Sequence, residues 1–161
     1  MSNIQIVHVD YRNPAHAAAL VLLLNDYASD PAGGGAPLDA EVQAGLPAAL
    51  AARPQAFSVM AFDGAEPVGL VNCIEGFSTF ACRPLVNVHD VTVRASHRGR
   101  RITQQMLAVV EEEARRRGAC KLTLEVLQGN APALRAYERE GFAGYQLDPA
   151  LGNAMFLQKK L

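Results

Sequence analysis

The stretch from Val88 to Gly118 restricts the fold more than any other part of the chain. Val88-His89-Asp90-Val91-Thr92-Val93, inside a longer β-rich run from Pro84, reads as a strand. It passes through Arg94–His97 into Arg98-Gly99-Arg100-Arg101-Ile102-Thr103, and from Gln104 to Arg117 the pattern is strongly helical, with Gly118 at its end. Glu111, Glu112 and Glu113 each stand four residues before an arginine (Arg115, Arg116, Arg117), an orientation worth ~0.3–0.5 kcal/mol per pair on a helix. The join from strand to helix also has a chemical meaning. Free N–H groups and the positive end of the helix dipole point outward there, which makes an anion site. Arginines in the loop add fork-shaped donors suited to phosphate. Taken alone, the same loop reads equally well as a solvated basic turn.

The flanking segments supply the rest of a sheet. Ile4–Val9 reads as a first strand, and Asn13-Pro14 as a cap and first helical residue for a helix to about Ser29. Residues 30–37 (Asp30, Pro31, the glycines Gly33 to Gly35, Pro37) form a loop by composition. A second helix is expected from Asp39 to before Pro54, broken or kinked at Pro47. Phe57–Phe62 and Val68–Ile74 read as a hairpin around Asp63-Gly64. Beyond Gly118, Lys121–Leu127 reads as a buried strand. Asn130 and Pro132 open a short helix that Gly141 ends, and Phe142–Leu147 and Ala154–Gln158 look like two closing strands. The whole is a mixed α/β pattern around one sheet, a single domain over 1–161, with no internal repeat.

Composition narrows the classes of function. The chain has 161 residues, half of them hydrophobic, which suits one globular domain. Its net charge of −1 leaves no electrostatic footprint for nucleic acid or an anionic membrane. The longest apolar run, Ala15–Leu24, is too short to span a bilayer, and no basic segment precedes it, so neither a membrane span nor a secretory leader is expected. Cys73, Cys82 and Cys120 lack CxxC spacing, so free thiols in a reducing cytoplasm and no metal site are expected.

A second element carries chemistry: Asn130-Ala-Pro-Ala133-Leu-Arg-Ala-Tyr137-Glu-Arg-Glu-Gly141-Phe142. Tyr137 lies two helical turns beyond Asn130 and near the same face. On this ground alone it reads as a core aromatic or as a proton donor. Together the two elements resemble the GNAT family of acyl-CoA N-acyltransferases. The loop resembles the family's pyrophosphate motif, Gln/Arg-x-x-Gly-x-Gly/Ala. The helix resembles its Asn-x-x-Ala-x-x-x-Tyr-x-x-x-Gly-Phe signature, matched by Asn130, Ala133, Tyr137, Gly141 and Phe142. The resemblance is specific over about residues 85–145. It departs from the pattern at Arg101 and Thr103, which stand where the family has glycines. Arg101 either replaces a backbone contact with an ion pair or crowds the site.

The resemblance implies a central mixed sheet flanked by helices, acetyl-CoA as co-substrate, and a small primary amine as acceptor that attacks the thioester directly. A homodimer is compatible with it. It further implies that Val91, Val93, Arg98, Gly99, Arg100, Arg101, Ile102, Thr103, Asn130 and Tyr137 hold the coenzyme. Tyr137 matches the family's general acid, and a backbone N–H near a bulge in the 88–93 strand matches its oxyanion donor. In strand spacing this segment resembles diamine acetyltransferases, where a Glu-Asp pair sits at the position of His89-Asp90. His89 is then the candidate base and Asp90 the candidate ammonium ligand. Strand alternation places the two on opposite faces unless a bulge intervenes. Glu75, Glu125 and water are lesser candidates for the base. The loop at Asp30–Gly35 and the one from Phe77 to Pro84 are candidate walls of an acceptor pocket, or else surface loops. Two other readings remain: a coenzyme-binding or regulatory protein without turnover, and an enzyme acylating protein N-termini or lysines.

Overall fold

The structure is a computed structural model that describes residues 3–145 and 147–161. Five strands form one sheet in sequential order: β1 (Ile4–His8), β2 (Ala56–Asp63), β3 (Glu66–Ser78), β4 (Arg83–Val93) and β5 (Leu122–Leu124). The first four are antiparallel and β5 joins β4 in parallel, so the sheet is mixed. Helices α1 (Pro14–Ser29), α2 (Ala40–Ala51), α3 (Ile102–Arg116) and α4 (Ala131–Arg139) complete the described elements, with short 3-10 turns between them.

Helices cover both faces of the sheet. Ile102, Met106, Val110 and Ala114 recur at four-residue spacing on α3 and pack on Val59, Val71, Cys73, Val86 and Val88. On the other face Ala19, Leu20 and Leu23 of α1 meet Met60 and Leu70, with Leu46 and Leu50 of α2 at the margin. Leu20 and Leu23 are almost wholly buried, each worth ~1.5–3 kcal/mol of transfer free energy. The Asn13 side chain accepts from the Ala15 and His16 amides, so α1 starts where its cap and proline place it.

Several expectations need correction. α2 runs unbroken through Pro47. The proline removes one N–H, but the helix buries no residue and is held at Leu46 and Leu50, so tertiary contact sustains it across that gap. The hairpin turn is Gly64-Ala65 between the paired Asp63 and Glu66, with Gly64 at φ 62°. Arg116 pairs with Glu113 rather than Glu112, whereas Arg115–Glu111 and Arg117–Glu113 form as spaced.

The strand expected over Lys121–Leu127 is only three residues long and half-buried, because its pairing with β4 stops at Val88–Leu124. Of the expected closing strands, Phe142–Leu147 includes Gln146, which lies outside the described residues. The described remainder of it, and Ala154–Gln158, form no strand. Met155, Phe156 and Leu157 are about three-quarters exposed. β-propensity needs a neighbouring ladder to express it, and no strand lies beside these residues among those described.

Candidate active site

The site is built on an irregularity in β4. Asn72 on β3 pairs with Asp90, and the next residue, Cys73, pairs with Val88, so His89 is one residue too many for the ladder. This is a β-bulge. It reverses the alternation: Val88 and Val91 both belong to the core under α3, while Asp90 faces the α1 side. His89 is exposed at the bulge and Asp90 is partly buried. The bulge also marks where β4 and β5 part. Their pairing ends at Val88–Leu124, so from His89 to Val93 β4 has no neighbour on that edge among the described residues. Backbone groups that a further strand would occupy are therefore open to a ligand.

Two tyrosines and two aspartates are linked electrostatically through Tyr27. Burial pushes the Tyr137 phenol up to about 12, with Tyr27 nearby adding to the shift. The Tyr137 ring also packs edge-on against Phe142, with centroids 5.9 Å apart. Tyr27, in the last turn of α1, is raised by burial and then by the charges of Asp90 and Asp30. Tyr27 thus stands within electrostatic reach of Asp90, Asp30 and Tyr137. It carries no motif, and its place here is set by the packing of α1 across the sheet. The loop after α1 is tucked tightly beneath it. A Cβ on Gly33 would lie 1.9 Å from the Tyr27 carbonyl oxygen, so only glycine fits there.

A cavity of about 200 Å³ opens beside this cluster, lined among others by Leu23, Tyr27, Thr92, Val93, Arg94 and Arg98. A larger one, about 360 Å³, lies between α3 and Phe142 and contains none of the candidate catalytic groups.

The loop into α3 is held by carboxylates. Arg98 donates through Nε to the Val93 carbonyl at 3.1 Å and lies 3.7 Å from Asp30. Arg100 reaches Asp63 at 3.5 Å. Arg94, outside the candidate set, clamps Asp26 and Glu66 at 3.1 and 2.9 Å. His97, also outside that set, is buried between Ser96 and Asp63, at 2.8 and 3.4 Å, and ties the loop to the β2–β3 turn. Gly99 has φ 78°. Among the described residues Arg101 has no carboxylate partner, and it takes the left-handed conformation (φ 58°, ψ 27°) as the residue before α3. α3 has no side-chain cap and no acid in its first turn, so its N-terminal amides are free for an anion. Ile102 is buried, so only its backbone can face a ligand, while Thr103 is half-buried in the first turn. Val91 and Val93 turn their side chains into the α3 core and offer backbone alone.

The remaining candidates separate. The Asn130 side chain accepts from the Ala133 amide at 3.3 Å and so caps α4. Glu75 pairs with Arg117 at 2.9 Å, its charge already matched by a cation from the end of α3. Glu125 is exposed just past β5. Among the described residues no three His, Cys, Asp or Glu side chains converge to hold a metal ion.

Arg101 yields a direct test. A non-glycine residue in the left-handed region carries ~1–2 kcal/mol of strain, partly offset on replacement by glycine's extra unfolded-state entropy of ~0.5–1 kcal/mol. Arg101→Gly is therefore expected to raise unfolding free energy in a urea titration by ~0.5–1 kcal/mol, while weakening coenzyme binding through loss of the free guanidinium. Unchanged or tighter coenzyme binding would show that Arg101 does not contact phosphate.

Comparison with known proteins fits this geometry. The profile of the family described as "Acetyltransferase (GNAT) family" matches residues 20–142. A streptothricin acetyltransferase of Streptomyces lavendulae is 39% identical over 87 residues, which cover 52% of this chain and 46% of that protein. The match thus spans about half the length of that curated relative. Among solved structures, a ribosomal-protein-alanine N-acetyltransferase from Brucella melitensis biovar Abortus 2308 superposes with a TM-score of 0.77 at 18% identity, over 98% of this chain and 100% of that one. An aminoglycoside N-acetyltransferase in complex with CoA superposes with a TM-score of 0.76 at 14% identity, over 100% and 97%. At these identities the likeness is one of fold.

Proposed function

This chain belongs to the acetyltransferase (GNAT) family, and on that premise we propose that it transfers the acetyl group of acetyl-CoA to a primary amine of a small molecule by direct attack in a ternary complex. The observation that carries this reading is the coincidence of the bulge at His89 with the end of the β4–β5 pairing. It opens one strand edge between the free N-terminus of α3 and Tyr137. In this reading the pyrophosphate lies against the amides of Ile102 and Thr103 and the guanidinium of Arg101, with Arg98, Gly99 and Arg100 shaping the loop. The pantetheine arm follows the backbone of Val91 and Val93 toward the bulge.

The chemistry divides among few groups. Asp90 holds the acceptor as an ammonium ion. Loss of one proton, to His89 directly or through water, leaves a nucleophilic nitrogen. That nitrogen bonds to the thioester carbonyl carbon, and a backbone N–H at the bulge stabilises the oxyanion. The C–S bond then breaks, the nitrogen sheds its second proton to solvent, and the CoA thiolate takes a proton from Tyr137. The products are an N-acetyl amine and free CoA thiol. The same reading places the protein in a reducing cytoplasm, in keeping with its three free cysteines. It also retains the homodimer, to be tested by sedimentation.

Acetyl-CoA at 100 times its dissociation constant is expected to add ~2.7 kcal/mol to the stability of the fold, read as a rise in melting temperature. No rise at millimolar acetyl-CoA or longer acyl-CoA would remove the coenzyme from the proposal. A thiol-release screen over small amines, amino acids and peptides then separates the readings. Binding with no release points to a regulatory protein, and release only with particular peptide sequences points to a protein acyltransferase.

A further inference from the structure

A line of polar side chains crosses the sheet to Asp90, and the reaction above makes no use of it. Ser58 on β2 is directly opposite Asn72 on β3, and Asn72 is directly opposite Asp90 on β4. Ser58 is 1% exposed and Asn72 6%. They lie on the face that otherwise holds Leu20, Leu23, Met60 and Leu70. Polar groups in such a place are costly unless hydrogen-bonded, and these are bonded in series. The Tyr11 hydroxyl and Ser58 Oγ are 2.8 Å apart, Ser58 Oγ donates to Asn72 Oδ1 at 2.6 Å, and Asn72 Nδ2 donates to Asp90 Oδ2 at 3.0 Å.

The chemistry of the end group sets the direction of the whole line. An ionised carboxylate only accepts, so Asn72 must turn its NH₂ toward Asp90 and its oxygen toward Ser58. That uses the single proton of Ser58, and the Tyr11 O–H must then donate to Ser58. Every proton in the line points toward Asp90, and bonds aligned in this way reinforce one another. The bulge is what brings this about. Were β4 regular past the Cys73–Val88 pair, His89 rather than Asp90 would stand opposite Asn72. Among the described residues no side chain bonds to the second carboxylate oxygen of Asp90.

We propose that Asn72 is a positioning residue. It holds one oxygen of Asp90 so that the other faces the cleft and receives the acceptor's ammonium group, and Ser58 and Tyr11 lock the orientation of its amide. This rests on the amine-acetylation reading above.

Asn72→Thr retains a strand-forming residue and a hydroxyl for Ser58 but is too short to reach Asp90. The expected result is a ~tenfold rise in acceptor KM, with kcat and acetyl-CoA KM within about twofold of wild type. On an Asp90→Asn background the same change should add less than about twofold, because it acts through the carboxylate. Equal factors on both backgrounds, or a parallel rise in acetyl-CoA KM, would overturn the proposal. Should Asn72→Thr fail to fold, Ser58→Ala leaves the buried Asn72 oxygen without its partner and its amide less firmly held against Asp90. It should raise acceptor KM about threefold, and an unchanged KM would count against the proposal as decisively. A readout without turnover keeps this inference separate from the amine-acetylation reading. The Asn72 side-chain amide resonances should move in Asp90→Ala, even if the wild-type protein acetylates no amine. If they stay in place, the contact does not exist.

Discussion

Tyr137→Phe is expected to lower kcat by ~10²-fold or more while leaving acetyl-CoA affinity within about twofold. Phenylalanine keeps the ring and its edge-on packing against Phe142, so α4 should retain its position. What is lost is the O–H. Burial pushes that phenol up to about 12, and a raised pKa keeps an acid in its protonated form to higher pH. In the proposed role Tyr137 is therefore expected to keep its proton throughout the range in which amines are acetylated. The wild-type rate should show no falling limb from its ionisation between about pH 7 and pH 10. The same shift makes it a reluctant acid. Its contribution is then largely a hydrogen bond to the departing thiolate, which places the expected loss at the low end of the ~10²–10⁴-fold range for general acid catalysis. Single-turnover kinetics decide the matter, since they separate chemistry from product release. An unchanged single-turnover rate would return Tyr137 to the core.

The second large effect is expected at Asp90. Asp90→Asn preserves shape and a partner for Asn72 but removes the negative charge. A partly buried carboxylate that meets an ammonium ion directly is worth about 2–3 kcal/mol, or ~10²-fold, in kcat/KM for the amine. Acetyl-CoA KM should not follow, because Asp90 is bonded to Asn72 and is not among the groups proposed to hold the coenzyme. A neutral acceptor of similar shape should lose less than a cationic one. If kcat/KM falls equally for both, the charge serves the fold rather than the acceptor. Circular dichroism and melting temperature of the variant then show that loss directly.

Much of the framework was legible because it is written locally. Asn13-Pro14 starts α1, and Asn130 with Pro132 starts α4. The four-residue spacing of Ile102, Met106 and Val110 made α3 unambiguous, since a single face of a helix must meet the sheet. The Arg98–Thr103 loop and Tyr137 stood out as candidates through short motifs whose spacing stays within one strand, turn or helix.

The rest depends on partners far along the chain. Pro47 sits inside a helix because Leu46 and Leu50 find an apolar surface. The segment Ala154–Gln158 has β-rich composition and no ladder beside it. Ser58 and Asn72 look like ordinary strand polar residues until the register sets them opposite each other and Asp90.

The sequence by itself thus determined the order of the main elements, the helix caps and the strand–loop–helix join. Tertiary structure alone decided which side of β4 Asp90 faces, where β4 and β5 part, and that Tyr27 stands near Tyr137. The physical reason is the same in each case. Caps and helical stripes are satisfied within a few residues, whereas a bulge is a one-residue mismatch between two strands and exists only once both are paired.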